Sequence, residues 1–279
     1  MKLNIKSILH IIMLMVAMLT VLSCQKVINV DLNEAAPVIV IDGTINDRRG
    51  PYAVIISKSG SYFNQPDLPP VSGAVVIISD DAGITDTLRE TTAGVYLTAK
   101  IKGIPGRTYS LKVISEGKEY DASSTLSDHV NIDSLAIIKD DSQNIFFGGN
   151  DEHETPYEIH CFFRDPPEKN FYRIKVFKND SINTANYRLY DDQYTNGEII
   201  ELRVERNVKG GSTYRIELES LDDKTYGYYR TLEQLLFINP FFGSTPANPA
   251  SNLSNGALGY FGTYSVSGRM IRTPVNLGK

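Results

Sequence analysis

Four acidic doublets punctuate the chain: Asp80-Asp81, Asp140-Asp141, Asp191-Asp192 and Asp222-Asp223. Two carboxylates facing each other across about 5–10 Å can run glycoside hydrolysis. Each doublet, however, falls at an expected strand end or helix start, where aspartate closes turns and caps helices. Asp151-Glu152-His153-Glu154 sets an imidazole among hard oxygen ligands, a composition able to hold a metal such as calcium. A solvated acidic loop accounts for the same residues. His129 and His160 stand apart from it, and the two-histidine H-E-x-x-H spacing does not occur. There is no G-x-S-x-G elbow and no glycine-rich phosphate loop; Ser72-Gly73 and Gly210-Gly211-Ser212 read as turns. Cys161 lies mid-strand between apolar alternate neighbours and reads as a core thiol, because a nucleophilic cysteine needs an accessible, thiolate-favouring site. The residues therefore predict no catalytic site, no cofactor and no metal.

The other cysteine carries clearer chemistry. Lys2 and Lys6 precede an apolar run from Ile8 to Leu22, which ends at Val21-Leu22-Ser23-Cys24. The run falls short of the roughly 20 apolar residues of a membrane span and matches a secretory signal. The four residues at its end have the form of a lipobox. A diacylglyceryl group on the Cys24 thiol, cleavage just before it and acylation (palmitate-type) of the new amine would follow. Each buried CH₂ contributes about 0.8 kcal/mol, so two or three chains hold a protein on a bilayer. Residues 1–23 are thus predicted to be a lipoprotein signal peptide and residues 24–37 a lipidated tether.

Removing Lys2 and Lys6 moves the formal charge from −5 to −7. An acidic chain without a basic run argues against nucleic acid, whose phosphates need neutralising cations. It also argues against polybasic docking on a membrane. With Cys24 lipidated, Cys161 has no disulfide partner, so stability must come from core burial. Tryptophan is absent, while 16 tyrosines and 11 phenylalanines suit a sheet-rich protein.

The elements that would position any site are short β runs at sandwich-like spacing. Residues 38–45, 52–59, 74–79, 85–90, 94–98, 109–115 and 119–123 make seven strands, the count of an immunoglobulin-like or transthyretin-like sandwich over residues 38–126. After a joint at 124–133, strands are expected at 134–139, 157–164, 171–177, 188–190, 199–205 and 214–220. Alternation is clean in Tyr157, Ile159, Cys161 and Phe163, and in Tyr214, Ile216 and Leu218. Asp222 or Asp223 can cap a helix near 223–238, with an apolar stripe of Tyr226, Tyr229, Leu232, Leu235 and Leu236. A last strand covers 257–266. The chain is predicted to be mainly β: two β-sandwich domains, residues 38–126 and 127–279, with one short helix in the second.

Loops on such a frame commonly carry recognition. Tyr62 and Phe63 sit in a proline-rich loop of the first domain, and Phe241 and Phe242 follow the helix. These four are the predicted partner or ligand contacts; the alternative for each pair is core packing.

Taken in order, the lipobox, the VIVIDGTI first strand, PPVSGAVVIISDD, GVYLTAKIKGIPGRTYSLKV, the helix and TPANPASNLSNGALGYFGTYSV resemble the Bacteroidetes outer-membrane lipoprotein family catalogued as domain of unknown function 4249. The resemblance spans nearly the whole mature chain. It implies an accessory protein at the outer membrane, acting with a TonB-dependent transporter in nutrient binding or uptake. It carries no agreed catalytic residues, so none transfer. Surface export in that phylum goes with an acidic stretch after the lipidated cysteine. Here Gln25 and Lys26 follow, with acids only at Asp31 and Glu34, so surface and periplasmic faces both stay open. The expected function is a lipid-anchored, non-enzymatic accessory protein. A structural, assembly or adhesion component of the envelope is the alternative, and a hydrolase the third.

Overall fold

The structure, a computed structural model, describes residues 36–60, 68–139, 157–236 and 248–277. The chain folds in the order β1 (Ile39–Asn46), β2 (Ala53–Lys58), β3 (Val75–Asp80), β4 (Thr85–Thr87), β5 (Arg89–Thr92), β6 (Val95–Leu97), β7 (Thr108–Ser115), β8 (Lys118–Thr125), β9 (Ile132–Lys139), β10 (Tyr157–Arg164), β11 (Phe171–Lys178), β12 (Ser181–Asp191), β13 (Ile199–Glu205), β14 (Thr213–Leu221), α1 (Asp223–Leu236) and β15 (Leu258–Arg272). It is mainly β, as its sequence predicts. Among the described residues no helix is long and apolar enough to cross a membrane.

One eight-stranded sheet, ordered β12-β11-β14-β15-β1-β2-β6-β5, serves two sandwiches. Its β1-β2-β6 part faces a four-stranded sheet, β4-β3-β7-β8, across a core that includes Ile41, Ile56, Ile78, Tyr96, Leu111 and Val113. Its β11-β14 part faces a three-stranded sheet, β13-β10-β9, across a second core that includes Ile159, Cys161, Phe163, Tyr172, Ile216 and Leu218. Period-two alternation builds both: Tyr109, Leu111 and Val113 of β7 are buried, as are Ile159, Cys161 and Phe163 of β10. Residues 39–126 supply the first core and 130–218 the second; Leu253, Ala257 and Phe261 return to the first.

β15 splices the two halves. Its first half pairs in parallel with β1, from Val40↔Leu258 to Asn46↔Tyr264. Its second half pairs antiparallel with β14, from Leu221↔Tyr264 to Thr213↔Arg272. Tyr264 is the residue paired on both sides. The close approach to β1 depends on Gly259, at φ +89°, where an added Cβ would stand 2.1 Å from the Ile41 carbonyl oxygen. Parallel neighbours need a long crossover, which here is everything from β2 to α1.

Several elements differ from the sequence expectation for physical reasons. The strand expected at 85–90 is two, because Leu88 turns into the first core and its amide bonds the Val76 carbonyl at 2.9 Å. The chain thereby crosses from β4 in one sheet to β5 in the other. β12 is longer than expected because it pairs along β11 from Lys178↔Ser181 to Phe171↔Asp191. In β14 the charged face is buried along with the apolar one: Glu217 is 5% and Glu219 2% exposed. The joint after β8 lies against β15 through hydroxyls, with Ser265 Oγ donating to the Asp128 carbonyl and Ser267 Oγ accepting the Ile132 amide.

Candidate ligand-binding cleft

α1 lies on the outer face of the long sheet. Asp222 caps it, its Oδ1 accepting the Thr225 amide at 2.8 Å. The same carboxylate accepts the Ser124 hydroxyl at 2.7 Å, which fixes the helix start to the end of β8. Phe171, Leu221, Tyr226, Tyr264 and Val266 form the apolar seat. Gly262 of β15 leaves room for it, since an added Cβ would meet Thr225 Oγ1 at 2.7 Å.

Further along, a cation replaces apolar packing. Arg173 of β11 is 3% exposed and paired with Glu219 through its Nε. Lys175 reaches the other Glu219 oxygen at 2.7 Å. The Arg173 guanidinium lies 3.8 Å from the Tyr229 ring centre and 5.3 Å from that of Tyr264. Tyr228 stacks on Tyr260 at 4.3 Å, and the Tyr229 and Tyr260 hydroxyls are hydrogen-bonded. Burial alone would lower the Arg173 pKa, but the Glu219 charge and the surrounding tyrosines hold it above the ordinary arginine range. Burial raises the Tyr228 hydroxyl to about 12. This cluster locks the helix in place.

Beside the locked helix opens a cavity of about 740 Å³, within the usual range of ligand sites. The helix contributes Asp223, Tyr226, Gly227 and Arg230, spaced i, i+3, i+4 and i+7 on one face. Lys169 comes from the loop before β11, and Phe171 is the first residue of that strand. Asp191, Asp192, Gln193 and Asn196 come from the end of β12 and the turn after it. Phe171 and Tyr226 stack at 4.5 Å and 24°, and the Tyr226 hydroxyl donates to Asp191 at 3.2 Å.

Two buried carboxylates hold the 192–198 turn. Asp192, 1% exposed, accepts the Asn170 amide at 2.7 Å, and its carbonyl accepts the Thr195 amide at 2.9 Å. Asp165, 2% exposed, accepts the Gly197 amide at 3.0 Å and the Tyr172 hydroxyl. Burial raises the Asp165 pKa above the ordinary carboxylate range despite these donors. From this fixed turn Tyr194 projects 87% exposed.

The predicted contacts Tyr62, Phe63, Phe241 and Phe242, the lipidation site Cys24 and the acidic loop around His153 lie outside the described residues, as does Asp140-Asp141. The other doublets close turns or cap the helix: Asp80 accepts the Ile84 amide at 2.8 Å, and Asp81 the Thr108 amide at 3.0 Å. His129 bonds Asp47 at 2.6 Å, and His160 of β10 lies between Glu201 and Glu158 at 2.8 and 3.3 Å. Cys161 is fully buried in the second core. Among the described residues no group of three or more His, Cys, Asp or Glu is arranged to hold a metal ion. Sequence reasoning missed Gln193, Tyr194, Asn196, Gly227 and Arg230. Two signals point to them: a tyrosine inside the polar stretch DDQYTNG, and a glycine interrupting a helical stripe.

A family model described as Domain of unknown function (DUF4249) matches residues 25–269. No curated protein matches the chain. Among solved structures it is similar to the Yersinia pseudotuberculosis adhesin InvE, at 15% identity and a TM-score of 0.20, over 65% of this chain and 55% of that one. The chain thus spans about half the length of that adhesin, and a likeness this slight carries no argument about either fold or role.

Proposed function

The chain belongs to the family described as domain of unknown function DUF4249, and on that premise we propose that it is a lipid-anchored, non-enzymatic outer-membrane protein that binds a nutrient for a TonB-dependent transporter. Cys24 is the lipidated residue in this reading. The observation that carries the binding role is the cleft beside α1: a cavity of about 740 Å³ whose walls are held by buried carboxylates and a buried arginine. A site on a rigid frame presents its polar groups without paying ordering entropy at the moment of binding. The carboxylates around it serve the fold one by one, Asp192 through the Asn170 amide and Asp191 through the Tyr226 hydroxyl.

Purification of a tagged chain from detergent-solubilised outer membrane tests the proposal. The expected result is stoichiometric recovery of a barrel on the order of 100 kDa, the size of transporters of roughly 22 strands. Repeated recovery alone, or with envelope-assembly factors, overturns the transporter role. Cys24→Ala should release the protein from the membrane fraction. Retention there would remove the lipid anchor from the proposal.

A further inference from the structure

We propose that the cleft beside α1 binds a neutral saccharide, and that Gly227 is where the ligand meets the helix backbone. This rests on the binding role proposed above and names the class of ligand.

Glycine inside a helix is unfavourable relative to alanine, so its presence needs a reason. Gly262, a strand glycine in β15, is explained within the fold, since a Cβ there would strike Thr225 and Tyr260. Among the described residues Gly227 has no such reason. Its φ is not positive, and a Cβ built on it meets nothing within 4 Å. The space it leaves opens into the cleft. Close approach of the helix backbone by a bound ligand would supply one.

The lining states what that is. Asp223, an acceptor, stands one turn before Gly227, and Arg230, a donor, one turn after. Gln193 and Asn196 across the cleft each offer a donor and an acceptor. A hydroxyl both gives and takes hydrogen bonds, and adjacent ring hydroxyls match planar carboxylate and amide side chains. Three aspartates against Lys169 and Arg230 leave no positive excess to hold a phosphate or carboxylate ligand. Tyr194 stands beside Gln193 on the fixed turn and offers an exposed ring to the C–H face of a sugar. A peptide fits less well. The apolar part of the lining is Phe171 and Tyr226, stacked on each other and 8% and 9% exposed, which leaves no pocket for an apolar side chain.

The test titrates the full-length chain in detergent with neutral di- to hexasaccharides of gluco, galacto, manno and xylo configuration, and separately with short peptides. At least one saccharide should bind the unaltered chain. Gly227→Ala should raise the thermal midpoint by about 2–4 °C, because the helix gains and nothing clashes, while weakening the saccharide about tenfold. Tyr194→Ala should weaken it about tenfold with the midpoint unchanged. Absence of saccharide binding overturns the proposal, and so does saccharide binding that both variants keep. Peptide binding that Gly227→Ala abolishes would leave the cleft but replace the ligand class. None of these failures touches transporter co-purification, whose loss with saccharide binding intact would instead remove the transporter.

Discussion

The guanidinium of Arg173 lies 3.8 Å from the centre of the Tyr229 ring, so a cation on a strand and an aromatic face on the helix hold α1 to the sheet. The same guanidinium is paired with Glu219, and both residues are almost fully buried. Replacing Arg173 by methionine would leave the Glu219 charge in the interior with Lys175 as its remaining partner. The expected loss in urea unfolding is about 3–5 kcal/mol. The double variant Arg173→Met, Glu219→Leu should lose less, because no unpaired charge stays buried. Tyr229→Leu should cost about 1–2 kcal/mol. A single Arg173 variant as stable as the unaltered chain would show that the pair does not fasten the helix.

Asp86 sets the pH dependence of the first sandwich. Its Oδ2 accepts the amides of Ala99, Lys100 and Ile101 at 2.7, 2.6 and 3.3 Å. Burial by itself would raise its pKa, but these amides and the Lys100 charge outweigh it, and the folded pKa lies below the ordinary 3.8. A carboxylate depressed by folding stabilises the native state above its unfolded pKa, and the contribution disappears as pH falls through the folded value. Asp80, held low by the Ile84 amide and Arg107 against its own burial, acts in the same direction. The stabilisation from these two carboxylates should therefore be lost as pH falls below about 5, so the thermal midpoint of Asp86→Asn should fall less over that range than that of the unaltered chain. Asp86→Ala should cost about 3 kcal/mol near neutral pH, since three amides lose a charged acceptor.

Cys161 and Cys24 can be counted together. Burial raises the Cys161 thiol to about 12, with Asp133 adding to the rise against Arg269, so it should resist a thiol reagent in the native protein at about pH 8. In denaturant it should react. A lipidated Cys24 is a thioether and gives no signal, so the denatured mature chain should titrate one thiol. Two thiols would refute the lipid anchor.

Parts of this molecule are legible in its sequence because the signal is local. Tyr109, Leu111 and Val113, or Ile159, Cys161 and Phe163, announce a half-buried strand by alternation alone. Asp222 announces a helix start, and the helix begins at Asp223. What is not legible is non-local. Residues 267–272 lie beyond the last expected strand, yet they are strand because β14 lies alongside. The buried face of Glu217 and Glu219 looks solvated until Arg48 from the β1–β2 connection and Arg173 and Lys175 from β11 are brought to it. The cleft joins Lys169, Gln193 and Arg230, which no spacing rule connects. Gly227 in its lining and Tyr194 on the turn beside it break a local pattern, and each does so by being the wrong residue for its surroundings.

If the chain is held at its N-terminal end, as the proposed lipid anchor would hold it, the splice at β15 has a mechanical meaning. A pull entering at β1 runs along the strand axis, across seven paired residues of β15 on one side and five of β2 on the other. The ladder bonds lie across that axis, so they bear the load in shear, all at once, rather than parting one after another like a zip. At Tyr264 the force passes to the antiparallel ladder with β14 and so into the second sandwich. Drag on either half is carried by a single continuous cable, and the lifetime of the fold under tension is set by how slowly that whole ladder slips.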